Sequence, residues 1–200
     1  MPEKAVQTRD KGKTRRKLLA AAHELFYGGG IYATGVSAVA ERAGVTKMTL
    51  YAHFPSKGEL VTAYLEDNDR LWREFLEEKL LSHEDPRGKL LAVCDAYEEY
   101  FTTREMRGCA FVNSAAEFPD PDHPARQVIR RHKAGIRERL RCLASEAGAE
   151  DAATLAERLF VVLEGAYVIG ALEGDREVLD RSRAFFADLV ESAIRDQVRP

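Results

Sequence analysis

Apolar residues recur along this chain with a helical period almost from end to end, and nowhere with the alternation of a strand. That one property leaves little besides helix packing against helix. Leu18, Leu19, Ala22, Leu25 and Phe26 make the first stripe, in a helix expected from Thr14 and stopped by three glycines at 28–30. "VSAVAERA" (36–43) turns Val36, Val39, Ala40 and Ala43 to one side, and Gly44 breaks it. Thr46 caps the next helix, "KMTLYAHF", which Pro55 ends; Ser56 caps a long one reaching about Leu81. Asp85-Pro86 reads as a cap and first-turn proline for 87–103. Further stripes cover "RGCAFVNSAAEF", 124–147, 152–172 and about 176–195. The fold class is therefore all-α, with about nine helices.

No apolar run approaches the roughly 18 residues that span a bilayer. The N-terminus lacks the apolar core of a secretory signal, so the chain reads as cytoplasmic and without a membrane partner. Cys94, Cys109 and Cys142 are odd in number and show no CxxC spacing, which suits buried, reduced thiols. Charge is informative only in its distribution. The net charge is −3, yet residues 1–58 hold ten Lys/Arg against four Asp/Glu, and 59–200 hold 20 against 29. A basic head on an acidic body suggests a polyanion-binding module, although a solvated arm would give the same count.

The stretch "VSAVAERAGVTKMTLYAHF" pairs two short helices across a glycine turn, with Leu50 and Phe54 as anchors at i and i+4. This is the logic of a helix-turn-helix, and its spacing alone also suits an ordinary αα-corner. The remaining residues separate the two. Lys47 supplies a cation, and Thr46, Thr49, Tyr51 and His53 supply short-range donors suited to phosphate oxygens. The second helix carries no acidic residue. At Ser56-Lys57 a capped helix start meets a lysine, a phosphate clamp. DNA binding is the expected function.

Residues 14–60 resemble the N-terminal domain of the TetR (tetracycline-repressor) family, with "AGV-[ST]-K-x-x-[IL]-Y-x-[HY]-F-x-[ST]-K-x-x-L" at 43–60. The resemblance implies a helical homodimer, with a DNA-binding domain here at 10–58 and a ligand-binding, dimerising domain at 59–200. It implies phosphate contacts from Thr46, Lys47, Thr49, His53 and Lys57, and base edges faced by Met48, Tyr51 and Ala52. Gly35 departs from the pattern, standing where Ser or Thr is usual; Thr34 or Ser37 is a candidate replacement. Lys11, Lys13, Arg15, Arg16 and Lys17 form an arm suited either to added DNA contacts or to an unstructured tail.

In the body, "LFVVLEGAYVIGAL" is apolar around much of its circumference, and Gly165, Ala166 and Gly170 permit close helix approach. An intrachain core and a two-fold seam share the explanation. The seam candidates are Leu159, Val162, Leu163, Ala166 and Ile169 with Phe186 and Leu189; the resemblance favours a seam on these last two helices. The effector region is expected within 86–147, with Cys94, Tyr97, Phe101, Phe111, Asn113, Glu117 and His132 as candidate contacts and plain packing as the alternative for the aromatics. Asp122, His123, Glu117 and His132 match no recognised metal spacing, and no cofactor is implied.

The expected function is thus a ligand-responsive regulator. It would be a homodimeric repressor of a palindromic operator, released by a small-molecule effector, with activation as the variant. An enzyme built on a Cys/His pair is the rival class, but none of the thiols sits in an elbow or glycine-rich setting. A head that no longer binds DNA is a third reading, against which the set Lys47, Tyr51, His53 and Lys57 stands.

Overall fold

A computed structural model describes residues 2–104, 107–175 and 177–195. Among these the chain forms nine α-helices: α1 (Pro2–Gly29), α2 (Val36–Arg42), α3 (Lys47–His53), α4 (Lys57–Leu80), α5 (Pro86–Thr103), α6 (Ala110–Glu117), α7 (Pro124–Glu146), α8 (Ala152–Glu173) and α9 (Val178–Arg195). They group into two compact units, one running to Asn68 and including Ala110–Ile129, the other made of Asp69–Cys109 and the residues from Arg130 onward. No described helix is long and apolar enough to cross a membrane.

The first unit is built on α1. Its Leu18, Leu19, Ala22 and Phe26 are buried together with Val39 and Ala40 of α2, Leu50 of α3, and Leu60, Val61, Tyr64 and Leu65 of α4. Helix α1 starts earlier than the apolar stripe indicates, and it carries the arm: Lys11, Lys13, Arg15, Arg16 and Lys17 are exposed on a helix. Periodicity could not show this, because those positions have no apolar partner to mark a face. The helix stops at Gly29, and Gly30 takes φ +90°, a value a side chain would resist. Arg42 of α2 pairs with Glu24 of α1 at 2.6 Å, an exposed contact that adds little beyond alignment.

The second unit has its own core. Leu90, Val93, Tyr97 and Phe101 of α5, Leu140 and Leu143 of α7, Leu155, Leu159 and Leu163 of α8, and Leu179, Phe186 and Val190 of α9 are all buried in it. Aromatic edges tie the helices: Trp72 meets Tyr97 at 4.8 Å and Tyr100 at 4.9 Å, while Tyr167 meets Phe101 at 5.0 Å. Local signals place the ends. Asp85 accepts from Gly88 N ahead of Pro86, Asp151 accepts from Thr154 N, and Gly174 closes α8 in the left-handed region. Gly170 is where close approach is required, since a Cβ there would lie 2.8 Å from Val178 Cγ1.

Leu159 is fully buried at the centre of this core. Leu159→Ala is expected to destabilise the protein by about 2–5 kcal/mol, seen as a lower denaturant midpoint at unchanged m; an unshifted midpoint would contradict the packing described.

Candidate nucleic-acid interface

Helix α3 has seven residues, too few to persist alone, so its surroundings hold it. Leu50 is fully buried and Phe54 nearly so, which fixes one face inward. The turn before it closes through Gly44 N to Glu41 O and Val45 N to Ala40 O, each 3.0 Å, with Gly44 at φ +68°. Thr46 Oγ1 accepts from Thr49 N at 3.1 Å and lies 2.9 Å from the Thr49 hydroxyl, so the cap and its neighbour brace each other.

What remains of α3 faces outward. Met48 is 82% exposed and Tyr51 40%, while Lys47 and Ala52 are exposed beside them. The Lys47 ammonium lies 5.8 Å from the Tyr51 ring centroid, which holds cation and phenol together. Thr46 is exposed; Thr49, His53 and Lys57 are half-buried at the flanks. Ser56 Oγ accepts from Glu59 N at 3.1 Å, and Lys57 Nζ donates one of its three protons to Tyr32 O at 3.3 Å. The seven α3 residues include no acid, so nothing on that helix opposes an approaching phosphate.

The start of α2 departs from expectation in one respect. Gly35 is its N-cap and offers no side chain. Thr34 does not replace it, because its single hydroxyl proton is turned inward, toward Gly30 O at 2.7 Å with Leu25 O at 3.2 Å. Ser37 is exposed on the first turn of α2 and remains the hydroxyl available there.

In the second unit Cys94, Tyr97 and Phe101 are buried in the α5 core, and burial pushes the Cys94 thiol up to about 12. Phe111, Asn113 and Glu117 belong to the first unit. There Phe111 is buried, and the Glu117 carboxylate accepts from Ile31 N and Tyr32 N. His132 lines a cleft of about 360 Å³ between α4 and α7, walled by Trp72, Leu76 and Ile136. Arg139 reaches Glu77 at 2.7 Å across that cleft. His123 stacks on Phe118 at 4.3 Å.

Leu159, Leu163, Ala166 and Phe186 are buried in the chain's own core, whereas Val162 and Leu189 are half-buried and Ile169 is exposed. The same helices carry another apolar stripe outside: Val161, Val168, Ile169 and Leu172 of α8, with Phe185 of α9. Those α8 positions share one face at helical spacing. Gly165 lies in the same stripe, with open space where a Cβ would stand.

A short helix held by its neighbours, exposed and free of acids, after a four-residue glycine turn, is the recognition element of a helix-turn-helix DNA-binding protein. Residues 18–64 match the model of bacterial regulatory proteins of the tetR family, and residues 86–186 match the tetracyclin repressor-like C-terminal domain. The chain belongs to the TetR family of transcriptional regulators. It is similar to a TetR-family regulator of Streptomyces coelicolor, with TM-score 0.82, 31% identity, and coverage of 92% of this chain and 96% of that one. The regulator YjdC of Escherichia coli (strain K12) is 28% identical over 85% of this chain and 86% of its own. The transcriptional activator FasR of Mycolicibacterium smegmatis is 36% identical over 45% of this chain, a match that spans 41% of FasR. Membership makes the protein a DNA-binding transcription factor rather than an enzyme.

The buried pair in the second unit gives a pH dependence. His132 Nδ1 lies 2.8 Å from Asp69 Oδ1, and Arg73 also bonds that carboxylate. Burial holds His132 below the usual imidazole range, with the Asp69 bond pulling the other way. Burial pushes Asp69 up, but the bond and charge of His132, with Arg73, outweigh it and leave the carboxyl below its usual range. A base with a lowered folded pKa costs stability as pH falls below its ordinary value of about 6.5. A carboxylate with a lowered folded pKa supports the fold above about pH 4 and loses that support on further acidification. Both act in one direction. The thermal midpoint is expected to fall from about pH 6.5 downward, and His132→Gln to flatten the upper part of that fall; a midpoint flat from neutrality to about pH 4 would contradict this.

Proposed function

We propose that the protein is a homodimeric repressor that binds a palindromic operator through the 10–58 head and is released by a small-molecule effector held in its body. The observation that carries the DNA half is the outward face of α3. Lys47, Thr46, Thr49, His53 and Lys57, with Ser37 of α2, hold phosphate oxygens; Met48, Tyr51 and Ala52 face base edges. With one strong hydrogen-bonding group among the three base-facing residues, sequence choice leans on thymine methyls and on DNA shape.

The dimer half rests on the outer stripe of α8 and α9. Val161, Val168, Ile169 and Leu172 make an exposed apolar stripe on α8, which a second copy would cover together with the exposed Phe185 of α9. Val162 and Leu189 flank it, and Leu159, Leu163, Ala166 and Phe186 back it from inside. Two-fold symmetry would present two α3 helices to half-sites about 34–36 Å apart.

The effector half rests on the cleft between α4 and α7, whose apolar walls and buried His132 suit a small molecule with one polar head. Binding there would favour an arrangement of protomers whose heads no longer fit successive major grooves. Tyr97 would shape this site through Trp72, with Cys94 and Phe101 packed in the same core. The protein acts in the cytoplasm, where its DNA target lies. FasR bears the name of an activator, so a promoter-reporter assay decides sign: higher expression on deleting the regulator supports repression, lower expression activation.

Lys47→Ala with Tyr51→Ala is expected to abolish binding to a duplex that wild type selects, and Lys47→Ala alone to reduce the salt slope of log K by about 1. Undiminished binding by the double variant would refute the assignment of α3. Val161→Asp with Leu172→Asp is expected to give monomers by sedimentation; an intact dimer would refute the seam.

A further inference from the structure

The turn between α1 and α2 is held more firmly than a connector needs. Glu117, at the end of α6, accepts from Ile31 N at 2.9 Å and from Tyr32 N at 2.5 Å. Lys57 Nζ donates to Tyr32 O at 3.3 Å. Tyr32 is thus gripped on its amide side and its carbonyl side by residues 85 and 25 positions away. Ile31 explains part of this grip, since it is an anchor only 3% exposed. It does not explain Tyr32, whose own side chain is 88% exposed. A turn that served only to connect would be met by a small polar residue at that place.

The neighbourhood says what a fixed, exposed phenol could do there. The entry to α2 is poor in phosphate donors, with Gly35 bare and the Thr34 hydroxyl turned inward. Lys57, already on the proposed DNA face, bonds the Tyr32 peptide itself. The Glu117 carboxylate would repel a phosphate if it faced one, but both its oxygens are engaged by the turn's amides. Tyrosine hydroxyls are among the donors that proteins use on phosphate oxygens, and a residue ahead of α2 lies off the recognition helix, so backbone rather than base is its target.

We propose that Tyr32 is a further contact to the DNA backbone, its phenol donating to a phosphate oxygen beside the one Lys57 holds, and that Glu117 is the positioning residue that presents it. This rests on the DNA-binding reading above and adds to it a donor beside Ser37 at the entry to α2.

The test uses the duplex that full-length wild-type protein recovers from a random-sequence library. Affinities are measured for Tyr32→Phe, Tyr32→Ala, Glu117→Gln and the pair Tyr32→Phe/Glu117→Gln, with thermal midpoints as the control for folding. Tyr32→Phe and Tyr32→Ala should each weaken binding roughly tenfold, the scale of one hydrogen bond to a charged group, at an unchanged midpoint. Glu117→Gln should weaken binding too, and the double variant should be no weaker than the worse single, because Glu117 acts through Tyr32. Wild-type affinity in both Tyr32 variants overturns the contact. A loss in Tyr32→Ala that is absent in Tyr32→Phe overturns the phenol as donor. Equal, additive losses from Glu117→Gln in both backgrounds overturn the positioning role. If wild type recovers no duplex at all, the DNA-binding reading fails first and takes this proposal with it.

Discussion

Leu50 is the side chain on which the interface depends. Helix α3 has only seven residues, and a helix that short gains too little from its own hydrogen bonds to overcome the entropy of forming it. Burying Leu50 completely, with Phe54 one turn on, supplies the missing free energy and fixes which face looks inward. The positive φ of Gly44 and the cap from Thr46 fix where the helix begins. Once one face, one start and one stop are set, Lys47, Met48, Tyr51 and Ala52 have nowhere to point but out. The exposed composition of α3 then follows from its anchoring rather than from any property of those residues alone.

Much of this was legible in the amino-acid order because the deciding interactions are local. Thr46, Ser56 and Asp85 cap the helices that follow them, and the glycines at 30 and 44 stop the helices before them. The helix count and most boundaries follow. Where the deciding partner is distant, order alone is silent. Glu117 reads as a polar residue in need of a partner, but nothing in its surroundings names Ile31 and Tyr32, more than 80 positions earlier. Thr34 and Gly35 are adjacent, and only the structure shows that the Thr34 hydroxyl turns inward to Gly30 O and Leu25 O. Helix α8 shows a different limit. It is apolar on two sides, so its period reveals burial without phase. Leu159 and Leu163 fall inside, and the stripe from Val161 to Leu172 falls outside.

The second unit is an aliphatic and aromatic core with a buried ionic pair at its edge. Asp69 and His132 are buried together, an arrangement that hydrophobic residues of similar size would equal or exceed in stability. They lie on the wall of the cleft between α4 and α7 rather than deep among Leu90, Leu140 and Leu159. The same unit holds Cys94 as an inert, protonated thiol, which separates its chemistry from that of a nucleophile.

The central claim, that α3 and the capped start of α4 are what DNA touches, is tested most directly by amide hydrogen exchange on the full-length protein, free and saturated with its selected duplex. Slowed exchange across Lys47–His53 and around Ser56 and Lys57 is the predicted result, with the α5 and α8 core unchanged. Exchange in those two segments that is as fast with DNA as without it, while protection appears elsewhere, would contradict the account.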